Sequence, residues 1–337
     1  MAAVDPIGAG RTLLDLKDVV GLVHDDLEKV EALFEEQFRS DVGLVGEIGR
    51  YIREGGGKRI RPALLLLGSR LCGYRGERAI LLASVVEFIH TATLLHDDII
   101  DEATVRRGRK SVNSRWGNDI TVLLGDFLYT RSMSMALAQE NLQILRLLSD
   151  VTLRMIEGQL LEIERNGDLR IHADDHLDII RRKTADLFSA CLRIGAILGE
   201  VGAEKEEALA AYGQNLGICF QMVDDILDFT ADENVLGKPV NNDLREGKLT
   251  LPAIFLLRRD GNSAADRIRA VVSDRGFGRV SRDEIVSMTR ESGALAQARA
   301  LAEDYAGAAR RALSAFERSI YRETLEALPD LILARDH

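Results

Sequence analysis

Asp97-Asp98-Ile99-Ile100-Asp101 and Asp224-Asp225-Ile226-Leu227-Asp228 are one five-residue pattern, D-D-x-x-D, written twice in distant parts of the chain. Each follows a strongly apolar, helix-forming stretch, residues 90–96 before the first and 218–223 before the second. On a helix the first and last Asp of each run lie one turn apart on the same face. Like charges at that spacing repel by about 0.2–0.5 kcal/mol in water, and by more when partly buried. A cation must offset that repulsion. Oxygen donors without a His or Cys partner point to Mg²⁺, which takes one or two carboxylates and completes its shell with water and phosphate oxygens. A single copy among 54 acidic residues would read equally well as a solvated face. Two copies, each directly after an apolar helical stretch, read as a metal site.

Helical periodicity extends outward from these runs over almost the whole chain. Residues 14–38 carry an apolar stripe (Val19, Val20, Leu22, Val23, Leu27, Val30 and Leu33). Gly55 to Gly57 break the pattern, and Pro62 stands at a tolerated first-turn position of the next helix. Further helices are expected over 62–71, 76–101, 117–139, 141–165, 174–199, 204–230 and 249–258, with more to the end. Rare Pro, few aromatics and abundant Leu, Ala, Arg, Glu and Ile favour helix over sheet. The expected fold class is all-α, with residues 1–337 as one domain, since no composition shift marks a boundary. Two stretches, 102–118 and 232–248, read as functional loops. Residues 264–335 are Ala-, Arg- and Glu-rich helix with packing as their expected role.

A hydrophobic content of 46% over 337 residues is ample for a core. The net charge of −10 argues against a nucleic-acid partner. Cys72, Cys191 and Cys219 are scattered without C-x-x-C spacing, which points to a reducing compartment and to neither disulfides nor zinc. The first residues lack a basic flank before an apolar block, so no secretory leader is expected. No apolar run reaches the ~18–20 residues of a membrane span, because Glu87 interrupts residues 80–89. A soluble, cytoplasmic protein is expected.

Basic residues answer the acidic ones. Lys58-Arg59-Ile60-Arg61 follows three glycines, Arg106-Arg107 follows the first Asp run, and Lys183-Thr184 opens a helix-like segment. Lys238 and Lys248 lie just beyond the second run. Singly, each reads as a solvated side chain. Together they suit a diphosphate, whose about three negative charges need metal ions plus Arg or Lys donors. Two acidic clusters and several cations imply two diphosphates, one bridged by metal and one held directly. His90, about two turns before Asp97, and Gln221 read either as satisfied core polar groups or as contacts to these ligands.

The set Gly55-Gly56-Gly57-Lys58-Arg59-Ile60-Arg61-Pro62, Leu95-His96-Asp97-Asp98-Ile99-Ile100-Asp101 with Arg106-Arg107-Gly108, Gly125-Asp126-Phe127-Leu128, and Gln221 to Asp228 followed by Gly237-Lys238-Pro239 resembles the trans-isoprenyl diphosphate synthases, in particular the long-chain polyprenyl group. The likeness covers roughly residues 10–337 in order and spacing. It implies the isoprenoid synthase type I fold, a helical bundle around a central substrate cavity. It also implies Asp97, Asp101 and Asp224 as ligands of Mg²⁺ (three ions with substrate bound), supported by Asp98, Asp225 and Asp228. By the same resemblance Arg106, Lys183, Lys238 and Lys248 bind the allylic diphosphate, farnesyl or geranylgeranyl diphosphate. Lys58, Arg61, His90 and Arg107 bind isopentenyl diphosphate, and Thr184 and Gln221 lie along the reacting end of the allylic substrate. The implied activity is successive 1′-4 trans condensation to a product of about C40 to C50, for a quinone side chain, by a homodimer that touches a membrane transiently on product release.

Three competing readings remain from the sequence. A class I terpene cyclase ionises the same kind of substrate, but its second metal motif usually mixes Asn, Ser and Glu. A non-catalytic subunit of a heteromeric synthase would be expected to lack one Asp run. A short-chain farnesyl or geranylgeranyl diphosphate synthase differs only in tunnel depth. Ala92 and Thr93, small residues about one turn before Asp97, are expected to leave that tunnel open, with Ile89, Met133 and Met135 lining it further down.

Overall fold

The computed structural model describes Val19, residues 21–230 and residues 242–335. The chain begins with α1 (His24–Gln37) and α2 (Gly43–Glu54), then α3 (Ile60–Leu71) and α4 (Arg78–Ile100). An antiparallel hairpin follows, β1 (Val105–Arg106) with β2 (Arg109–Lys110), Val105 pairing with Lys110. Next come α5 (Val112–Trp116), α6 (Asn118–Leu137) and α7 (Leu142–Arg165). α8 (Ala173–Ile180) passes through a π-helical turn, Arg181–Ala185, into α9 (Asp186–Leu198), which leads to α10 (Ala203–Thr230). The rest is α11 (Asn242–Arg245), α12 (Leu251–Asp274), α13 (Arg282–Glu291), α14 (Ala294–Ala312) and α15 (Ile320–Leu333). The fold is all-α, as the composition predicts, and the hairpin is the one sheet element among the described residues.

Two long apolar helices carry the acidic runs. α4 packs against α6 and α3, and α10 packs against α9 and α14. Ala294, Ala298, Ala302, Ala306 and Ala309 form a fully buried small-residue stripe on α14, which lets that helix lie close to α10. A Cβ on Gly213 would come within 2.7 Å of the Phe188 carbonyl oxygen, and one on Gly217 within 2.6 Å of Ala185 Cα. Only glycine allows these contacts of α10 with α9 and the π-turn. The second contact sets Gln221, one turn beyond Gly217, beside Thr184.

Several expectations change on contact with the structure. α2 was not among the expected helices; a side chain at its Gly49 would collide with the Phe38 ring, so glycine permits the close packing there. The helix expected over 174–199 is interrupted by the π-turn, and the one expected over 249–258 continues to Asp274 across a kink at Gly261 (φ 54°). The loop at 102–118 contains the hairpin and α5. The reading that no segment could span a membrane is also corrected: α4, with 23 residues and a mean hydropathy of 1.6, is long and apolar enough. Its most apolar window is 72% buried inside the protein, because this helix forms core on most sides.

Candidate active site

A cavity of about 930 Å³ opens between α4, α7 and α10, with Asp97 and Asp224 both in its wall. Helical geometry sorts each acidic run. The second Asp of a run stands about 100° round the helix from the first, and it points inward: Asp98 is 1% exposed and Asp225 3%. Asp98 accepts from Arg106 Nε at 2.6 Å, and its backbone carbonyl accepts from Asn113 Nδ2 at 3.1 Å. Asp225 accepts from Gln221 Nε2 at 3.0 Å and from His176 Nε2 at 2.8 Å. The outer residues meet cations instead, Asp224 within this cavity and Asp101 outside its lining. Asp101 accepts from Lys248 Nζ at 2.9 Å, and Asp224 from Arg335 Nη1 at 2.7 Å.

Burial disfavours charge on the cavity-lining carboxyls. It pushes Asp97 up to about 6 and raises Asp224 above the ordinary carboxylate range. Asp243 of α11 is held well above that range by its burial and by the charges of Asp228 and Asp225 beside it. Carboxyls in this state gain from a divalent cation, which removes the penalty on ionisation. The donor set is oxygen only, so it fits Mg²⁺ and not a thiolate-seeking metal. Among the described residues no three acidic, His or Cys side chains close round one point. An ion held here therefore takes part of its shell from water and ligand oxygens, the usual habit of Mg²⁺.

A separate basic patch lines the same cavity. Arg61 Nη1 donates to His90 Nε2 at 3.0 Å, so that nitrogen accepts and the imidazole is neutral. Burial, followed by the charges of Arg61 and Arg107, keeps His90 well below its ordinary pKa. Lys58 is exposed at the rim; its pKa is lowered by partial burial and by nearby Arg335. Arg107 and Gly108 form the two-residue turn of the hairpin, with φ of 52° and 75°. Positive φ at both central residues is the type I′ geometry that suits a tight hairpin, and it carries Arg107 into the cavity wall. Lys183, on the π-turn, pairs with Glu162 of α7. Lys248 stays protonated despite its burial, because Glu162, Asp101 and Glu246 raise its pKa. Thr184 Oγ1 donates to Gln221 Oε1 at 3.0 Å.

Of the residues named from the sequence, Asp97, Asp224, Lys58, Arg61, His90, Arg106, Arg107, Lys183, Thr184 and Gln221 share one cavity. Lys238 lies outside the described residues. Thr93 also lines the wall, whereas Ala92 and Ile89 are buried away from it, and Met133 and Met135 take no part in the lining. The reason is angular: Thr93 shares a face with Asp97 and Ile100, and Ala92 is turned by one residue from that face. The apolar wall comes instead from α7, through Met155, Ile156, Leu160 and Ile163. Their i, i+4, i+7 spacing was the signal available in the sequence. Sequence reading also missed Arg335 and Asp243. Arg335 corrects the expectation that the C-terminal third serves packing alone.

The family model for polyprenyl synthetase matches residues 43–287. Octaprenyl diphosphate synthase of Escherichia coli (strain K12) is 38% identical over 323 residues, covering 96% of this chain and 100% of that protein. The geranyl-diphosphate-specific all-trans-nonaprenyl-diphosphate synthase of Rhodobacter capsulatus is 35% identical over 324 residues, covering 96% and 99%. Among solved structures, a polyprenyl synthase of Caulobacter crescentus, complexed with calcium and isoprenyl diphosphate, superposes with a TM-score of 0.91 at 35% identity, covering 97% of this chain and 100% of that one. With two facing acidic helices, a neighbouring basic patch and full-length likeness to these synthases, the chain belongs to the polyprenyl synthetase family and is an enzyme of the transferase class.

Proposed function

We propose that this chain elongates an allylic diphosphate by repeated trans condensation with isopentenyl diphosphate, giving an all-trans polyprenyl diphosphate of about C40 to C50 for a quinone side chain. One observation carries the reading: two acidic helices and a distinct cluster of cations line a single cavity. That arrangement suits two diphosphates held by different means. It disfavours a terpene cyclase, which handles one diphosphate, and a non-catalytic subunit, which is expected to lack one acidic run.

Asp97, Asp101 and Asp224 would hold Mg²⁺, three ions with substrate present, which neutralises the charge developing on the departing diphosphate. Asp98, Asp225 and Asp228 support those ligands. Lys183, Lys248, Lys238 and Arg106 bind the allylic diphosphate, while Lys58, Arg61, Arg107 and His90 orient isopentenyl diphosphate with its double bond toward the allylic carbon. Thr184 and Gln221, hydrogen-bonded to one another, border the reacting end. The departing diphosphate can take the proton released after bond formation, so no protein base is required. Apolar side chains of α7 keep water from the allylic cation.

The growing tail leaves along α7, whose Leu153, Ile156, Leu160 and Ile163 are exposed. With Val122 and Leu123 of α6, they form an apolar face that suits a homodimer interface. The whole chain acts as one catalytic domain, in the cytoplasm, where Cys72, Cys191 and Cys219 remain thiols. Transient membrane contact would release so apolar a product. Equilibrium binding tests the two-site reading. Isopentenyl diphosphate is expected to bind with or without a chelator, and a non-hydrolysable allylic diphosphate only with Mg²⁺. Equal metal dependence for both ligands would contradict it.

A further inference from the structure

His176 lies on α8, outside every motif legible in the sequence, and is nearly buried. Its Nε2 is 2.8 Å from Oδ2 of Asp225. A carboxylate only accepts, so that nitrogen carries the hydrogen and donates it. The other oxygen, Oδ1, accepts from Gln221 Nε2 at 3.0 Å, and Gln221 in turn accepts from Thr184. Asp225 is thus fastened from two sides, by its own helix and by α8. The first acidic run has a counterpart: Asp98 is fastened by Arg106 from the hairpin. In each run the inward Asp is tied to a neighbouring element, which fixes the rotation of the helix and the direction of its outer carboxylates.

On this basis we propose that His176 is a positioning residue for the second acidic run, holding Asp225 so that Asp224 faces the metal and the diphosphate; the inference rests on the metal–diphosphate reading above. Removing the donor leaves Asp225 Oδ2 to find a new partner. The smaller cavity that His176 lines offers Lys248, itself bonded to Asp101. A carboxylate that turns toward Lys248 disturbs both acidic runs at once. Nothing in this role requires His176 to touch substrate.

The test is Mg²⁺-dependent binding of inorganic pyrophosphate to the full chain, followed by calorimetry, beside the metal-free thermal midpoint. His176→Phe is expected to weaken that binding roughly 10–100-fold, the usual effect of losing a partner behind a metal ligand. The Mg²⁺ concentration for half-maximal turnover should rise in parallel while the KM for isopentenyl diphosphate stays unchanged. His176→Gln, whose amide can donate to the same oxygen, should recover most of the affinity. Should His176→Phe fail to fold, His176→Asn, with a donor too short to reach, carries the same prediction. A variant with a lowered thermal midpoint but native pyrophosphate affinity would overturn the proposal, leaving His176 a purely structural group. Wild-type protein that binds no pyrophosphate with Mg²⁺ would overturn the underlying function as well.

Discussion

Asp97 is a carboxyl whose surroundings resist its ionisation. Burial raises it from 3.8 to about 6, so below about pH 6 the metal-free protein prefers the neutral acid. The sign follows from linkage: stability from this group is present below about pH 3.8 and is lost as pH rises through about 6. Metal binding must displace that proton. The Mg²⁺ concentration for half-maximal rate is therefore expected to rise as pH falls below about 6, and titrations at pH 5, 6, 7 and 8 check this. A flat dependence would remove Asp97 from the ligand set. Asp97 and its partners were legible because the D-D-x-x-D pattern is local and rare. Arg335 was not, since it acts on Asp224 across 111 residues of sequence and is one Arg among many in its region. Asp243 and His176 were hidden for the same reason: a tertiary approach sets them beside the second acidic run, and no local spacing records it.

Between elements, the tight join of α10 to the π-turn governs the site. Gly217→Val is expected to destabilise the fold by about 1–3 kcal/mol through overpacking, and chemical denaturation measures it. Turnover per folded molecule should fall too, because the join also sets Gln221 beside Thr184. Helix existence was well read from periodicity, with α3, α4, α6, α7 and α10 close to expectation. α2 was not expected, and its Gly49 serves close packing against the Phe38 ring. The π-turn has no sequence signature that separates it from α-helix. The lining of α4 moves the chain-length prediction from Ala92 to Thr93. Each added five-carbon unit spans about one helical turn (~5 Å), so Thr93→Phe should shorten the product to about C15–C20. Ala92→Phe, turned from the cavity, should do so less, and chromatography of the two products decides between them.

For the whole molecule, the exposed apolar stripe on α7 points to a second copy of the chain as its cover. Leu153→Glu places a charge in that stripe, outside the cavity lining, and is expected to yield monomer in sedimentation velocity runs. An unchanged dimer would move the interface elsewhere. Elongation of a prenyl chain to about C40–C50 is the work proposed for the two acidic runs and the basic patch. Its most direct test is to incubate the purified protein with Mg²⁺, farnesyl diphosphate and labelled isopentenyl diphosphate, and to size the dephosphorylated products by chromatography. The expected result is a ladder ending near C40–C50 that disappears in Asp97→Ala and Asp224→Ala. A cyclised hydrocarbon, no incorporation, or a full-length ladder from either Asp variant would contradict the account.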